Sequence, residues 1–64
     1  MRAKLKEVWR NILTKDYSED TIATIMGLLA TTKKPEQTLN QIIEILENNE
    51  EDKIIYTKLN KIED

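Results

Sequence analysis

The sequence predicts an all-α domain, a small antiparallel bundle of four short helices that takes in residues 1–64 as one unit. Two observations carry this. Apolar residues recur at offsets of three and four, the period of a helix with one buried face, in segment after segment. Turn formers are scarce as well. One Gly and one Pro in 64 residues are too few for an all-β chain, which reverses direction roughly every ten residues.

The first arm is carried by Leu5, Val8, Trp9, Ile12 and Leu13, the offsets i, i+3, i+4, i+7 and i+8 of a core-facing stripe. Trp9, the single Trp, is expected on that stripe and in the core. The second arm reads Ile22, Ile25, Met26 and Leu29, and the third Leu39, Ile42, Ile43 and Leu46, on the same template. Asp16, Tyr17 and Ser18 separate arms one and two. Ser18 is a good N-cap, with Glu19 and Asp20 in the turn that favours acids. Gly27 is expected where two helices approach closely. Thr31, Thr32, Lys33 and Lys34 close the second arm, with lysines at the end that favours cations. Pro35 then suits the first position of the third arm, where a missing N–H costs nothing. Lys34, preceding it, is pushed out of helical geometry. Tyr17 and Tyr56 are expected at the core rim with wet hydroxyls.

The fourth arm follows from a conflict of faces. On a straight helix over residues 36–63, Leu39, Ile42, Ile43 and Leu46 would centre on one side. Ile55, Leu59 and Ile62 would centre about 180° away. A break in Asn48-Asn49-Glu50-Glu51-Asp52 removes the conflict, with Asn49 capping a fourth helix. The runner-up is three helices, the last one long, whose outlying stripe is covered by a second copy of the chain.

Composition narrows the chemistry. With no Cys and no His, the chain has no disulfide and no ordinary zinc site, and neither Ser-His-Asp nor Cys-His catalysis. Asp16, Ser18 and Asp20 have the one-three-five spacing of a calcium loop. Thr21 and Gly27 stand where that loop needs Gly and Glu. Asn48, Glu50 and Asp52 fail likewise at Lys53 and Leu59. Glu44 and Glu47 lack the His of a di-iron bundle. No cofactor, no metal and no enzymatic activity are therefore expected. The apolar run that ends in Gly27 to Ala30 is far too short to span a membrane, and no apolar signal core follows the basic start. A cytoplasmic location is the expectation. Heavy use of Ile, Lys, Glu and Asn suggests an AT-rich, bacterial genome.

Net charge is −2 but unevenly placed. Residues 1–15 hold Arg2, Lys4, Lys6, Arg10 and Lys15 against Glu7 alone, whereas residues 36–64 hold eight acids and three bases. Either the two ends attract each other within the fold, or the first arm is a basic docking face for an acidic partner. The candidate partner-binding residues are Arg2, Lys6, Trp9, Arg10, Lys33 and Lys34.

Two short segments resemble known motifs. Ala23 and Gly27 resemble the Ala-x-x-x-Gly of a helix-turn-helix. Lys33 then falls at an apolar anchor position, and Leu28 to Lys34 offers no Arg, Asn or Gln to read bases. If the third arm were the reader, Gln37, Asn40 and Gln41 would be joined by Glu44, which phosphate repels. Met26-Gly27-Leu28 resembles the Met-Gly-Phe loop of ubiquitin-associated domains over three residues only. The expected function is a small non-enzymatic regulatory or adaptor module that binds a protein and can self-associate. A DNA-binding regulator and an immunity or antitoxin-type neutralising protein are the alternatives.

Overall fold

The computed structural model describes residues 2–62. Among them four helices and no strand occur: α1 (Arg2–Thr14), α2 (Glu19–Thr31), α3 (Pro35–Asn48) and α4 (Asp52–Leu59). The helical bundle is as the periodicity requires. The single long C-terminal helix does not form, because residues 49–51 leave helical geometry between α3 and α4.

Local chemistry sets the boundaries. Ser18 caps α2 from an extended backbone, and its Oγ accepts the Thr21 N–H at 3.3 Å. Pro35 opens α3 behind Lys34, whose φ of −129° and ψ of 67° lie outside the helical region. The link before it is tied by Thr32. Its Oγ1 accepts the Lys34 N–H at 3.0 Å and lies 2.7 Å from Thr38 Oγ1.

The fourth helix starts later than Asn49 suggests. Asn49 instead ends α3, and its Nδ2 donates back to the Ile45 carbonyl at 2.9 Å. Glu51 stands at the N-cap of α4 without a side-chain cap bond, and Asp52 is its first residue. The amide of Asn49 is thus spent on α3, and the start of α4 is fixed by what Asp52 reaches.

Two contacts orient the bundle. Lys4 Nζ meets Glu36 Oε1 at 3.5 Å near the starts of α1 and α3. Lys15 Nζ donates to the Leu46 carbonyl at 3.3 Å near their ends. The two helices therefore run in the same direction, and α2, which returns the chain between them, runs against both. α3 packs against each of the other helices, α2 and α4 pack on each other, and α1 rests chiefly on α3. The core is Val8, Ile25, Leu39, Ile42, Leu46, Ile55 and Leu59, all within 1% of full burial. Each such side chain contributes about 1.5–3 kcal/mol, and α3 supplies three of them.

Two expectations about packing are corrected. Gly27 is not a close-approach site. It is exposed within α2, and a Cβ there would meet nothing within 4 Å. No turn follows it either, so the support helix, turn and reader read from Ala23 and Gly27 do not form. The α1 stripe is not a core stripe throughout. Val8 is buried and Ile12 half-buried, but Leu5, Trp9 and Leu13 are exposed. The five positions span about 140° of the helix, more than one principal neighbour can cover.

Two substitutions test this packing. Gly27→Ala is expected to stabilise the domain by about 0.5–1 kcal/mol through helix propensity, raising the thermal midpoint by several degrees. Ile42→Ala removes a fully buried side chain at about 2–5 kcal/mol. A core of this size supplies only roughly 3–5 kcal/mol, so circular dichroism should show the cooperative transition lost or lowered by more than about 10 °C.

Candidate docking face and interhelix clamp

The outward side of α1 gathers most of the residues singled out in the sequence. Leu5, Trp9 and Leu13 follow one another at i, i+4 and i+8, one ridge about 12 Å long. Exposures of 36%, 43% and 79% grow along it, as each step of four residues turns about 40° further from α3. Arg2, Lys6 and Arg10 form a second ridge with the same step, about 60° further round, and all three are exposed. Glu7, on the flank, lies 3.6 Å from Arg10. Arg2 and Lys6 have no ion pair among the described residues.

The other bases of the first arm turn inward. Lys4 and Lys15 reach α3, Lys4 to the Glu36 carboxylate and Lys15 to a backbone carbonyl, so one ion pair links the basic first arm to the acidic second half. Lys33 and Lys34 are exposed in the link between α2 and α3. The start of α3 approaches α1 on the Lys4 flank, and Leu13 lies about 180° round the helix from Lys4. The link lysines therefore do not join the outward face of α1.

Leu5 and Leu13 were missed as surface residues, and a signal for them was present. The cationic ridge begins immediately beside the apolar one. Buried Asn11, whose Nδ2 donates to the Glu7 carbonyl at 2.9 Å, marks the true inward edge with Val8.

At the end of the bundle where α1 stops, a polar clamp joins α2 to α4. Asp52 Oδ1 accepts the Ser18 N–H at 2.9 Å, and Asp52 Oδ2 accepts the Ser18 hydroxyl at 2.8 Å. The Ser18 N–H bond, helped by hydroxyls of Ser18 and Thr21, holds the Asp52 carboxyl below the ordinary aspartate range against partial desolvation. Tyr17 packs against the core, and its Oη is buried without a hydrogen-bond partner among the described residues. This corrects the wet hydroxyl expected there, because the loop is drawn in by the clamp. Burial, reinforced by the Asp52 charge, raises the Tyr17 pKa. Tyr56, by contrast, is well exposed.

The open clefts add little. One of about 390 Å³ lies beside the clamp, lined by Lys15, Asp16, Tyr17, Asn49, Glu50 and Asp52. Another of about 320 Å³ lies between α3 and α4, with Glu44, Ile45, Lys58, Lys61 and Ile62 on its walls. Among the described residues no group of three acids is placed to hold a metal ion, and no helix is long and apolar enough to cross a membrane. Comparison of the chain with protein-family models, curated proteins and solved structures finds no match.

The clamp yields two expectations. Asp52→Asn should cost about 1 kcal/mol, a value near that of a single net hydrogen bond because the carboxylate is partly wet. Its depressed folded-state pKa means that its stabilisation is present above the unfolded value of about 3.9 and lost as pH falls below it. Denaturation midpoints between pH 7 and pH 3 should therefore fall more steeply for the wild type than for the variant. Tyr17→Phe removes a buried hydroxyl with no partner and should leave stability unchanged or raise it by up to about 1 kcal/mol; a loss above about 1 kcal/mol would reveal a bound water or another partner for the hydroxyl.

Proposed function

We propose that this chain is a small non-enzymatic helical regulator or adaptor, and that it binds another protein through the outward face of α1. The observation that carries the reading is the exposed ridge of Leu5, Trp9 and Leu13 beside Arg2, Lys6 and Arg10. Trp and Arg are the residue types that most often anchor protein interfaces. None of these three side chains belongs to the closed core, and Leu13 is largely in solvent.

The mixture of side chains also favours protein over nucleic acid as the bound surface. Phosphates would engage the three cations but leave Leu13 without an apolar contact. A protein surface satisfies both ridges, with an apolar centre and a charged border.

Leu13→Glu and the triple change Arg2→Glu, Lys6→Glu, Arg10→Glu test the proposal. Leu13 is largely in solvent, so its substitution should shift stability by no more than about 0.5 kcal/mol. Both variants should keep wild-type circular dichroism and lose partners that the wild type retains in affinity capture from native extracts. A partner held equally by wild type and both variants would remove the α1 face from the reading. Unfolding of the triple variant would show those charges to be structural.

A further inference from the structure

We infer that the outward face of α1 takes an acidic amphipathic helix of a partner protein, its apolar stripe seated on Leu5, Trp9 and Leu13 and its Asp or Glu side chains meeting Arg2, Lys6 and Arg10. The inference rests on the docking reading above and deepens it by naming the occupant.

Charge selects the sign of the partner. Three exposed cations line the face, and Glu7, the one acid of α1, sits on its flank 3.6 Å from Arg10. A second copy docked α1 to α1 would bring like charges together along an isologous contact. A second copy offering its α3 instead would present Gln37, Asn40, Gln41, Glu44 and Glu47, a polar surface with no apolar side chain to cover Trp9 and Leu13. Neither of these self-contacts satisfies both ridges; α4, which exposes Ile54 and Tyr56, carries Lys53 and Lys58 as well, cations that the α1 ridge would repel.

Spacing selects the helix. The apolar and the cationic ridges both advance by four residues, a rise of about 6 Å per step. A partner helix repeats the same rise, so carboxylates one turn apart remain in step with Arg2, Lys6 and Arg10 while its i, i+3, i+4 apolar residues pack between the ridges. A helix also satisfies its own backbone. An added strand would need an exposed sheet edge, and the described residues contain no strand.

Trp9 is the only Trp in the chain, so its emission reports on this face directly. The test is titration of the full chain with three stapled helical peptides, each about five turns long. They share one leucine stripe and carry Glu, Gln or Lys at the flanking positions. The Glu peptide should shift Trp9 emission to the blue and bind roughly tenfold tighter than the Gln peptide, as expected for three partly desolvated charge pairs. That preference should weaken with salt, and Lys6→Glu with Arg10→Glu should transfer it to the Lys peptide. Equal binding of the Glu and Gln peptides would overturn the acidic partner while leaving a docking face. A blue shift with duplex DNA and none with any peptide would overturn the helical partner in favour of phosphate. A concentration-dependent blue shift without peptide, accompanied by a doubled mass, would put a second copy on the face instead. No shift with any probe would overturn the inference, and the capture experiment then decides separately whether α1 docks a protein at all.

Discussion

The burial of α3 is the constraint from which the rest of this small fold follows. Leu39, Ile42 and Leu46 are all but inaccessible to solvent, and each of the other three helices packs against α3. A chain of 64 residues hides only about 60% of the surface exposed when unfolded, so it cannot distribute its core evenly. Concentrating the core on one helix leaves the others with a single covered flank each. For α2 and α4, which also pack on each other, one flank is nearly the whole apolar stripe. For α1, which rests chiefly on α3, only Val8 is fully buried, and Leu5, Trp9 and Leu13 stay exposed. The surface composition of α1 is thus a consequence of where the core sits.

With so little apolar area, the loops are held by polar chemistry instead. Asp52 collects both the N–H and the hydroxyl of Ser18, so one carboxylate ties the start of α2 to the start of α4. Thr32 and Thr38 do similar work in the opposite link. The two sites share a logic: a capping-type hydroxyl beside a chain reversal accepts a backbone N–H and meets a polar group of another helix. Buried Thr21 and Thr38 belong to these networks, so their burial leaves no orphaned hydroxyl. Tyr17 is the exception. Its ring fills space against the core while its Oη is left unbonded by the described residues, the local cost of drawing the loop inward.

Much of this architecture was legible in the sequence because period and capping are local properties. The stripes of α2 and α3, the Ser18 cap, Pro35 at the start of α3 and the break after Asn48 all depend on residues within a few positions of one another. What was not legible depends on partners distant in the chain. The start of α4 is set by Asp52 reaching Ser18, 34 residues earlier, and nothing near Asn49 announces that. Gly27 has helix propensity against it and no steric reason in its favour, so a packing role was the natural but mistaken inference. The outward turn of Leu5, Trp9 and Leu13 was hidden for a related reason. Periodicity reports how wide an apolar arc is, but not how many neighbours there are to cover it.

The same reasoning connects the fold to its proposed use. An apolar ridge left partly in water gives up stabilisation that a core of this size can hardly spare, and Arg2 places a cation in the first turn of α1, against the helix dipole. Both features are unfavourable for the isolated domain, and a partner of opposite charge and matching period relieves both at once. α1 has the fewest neighbours, so its local opening lies nearer the low end of the stability scale than that of α3. Anything that binds α1 only in its folded state then stabilises the helix by mass action. The docking proposed for this face would for that reason stabilise the first arm as well, through the two ridges of α1.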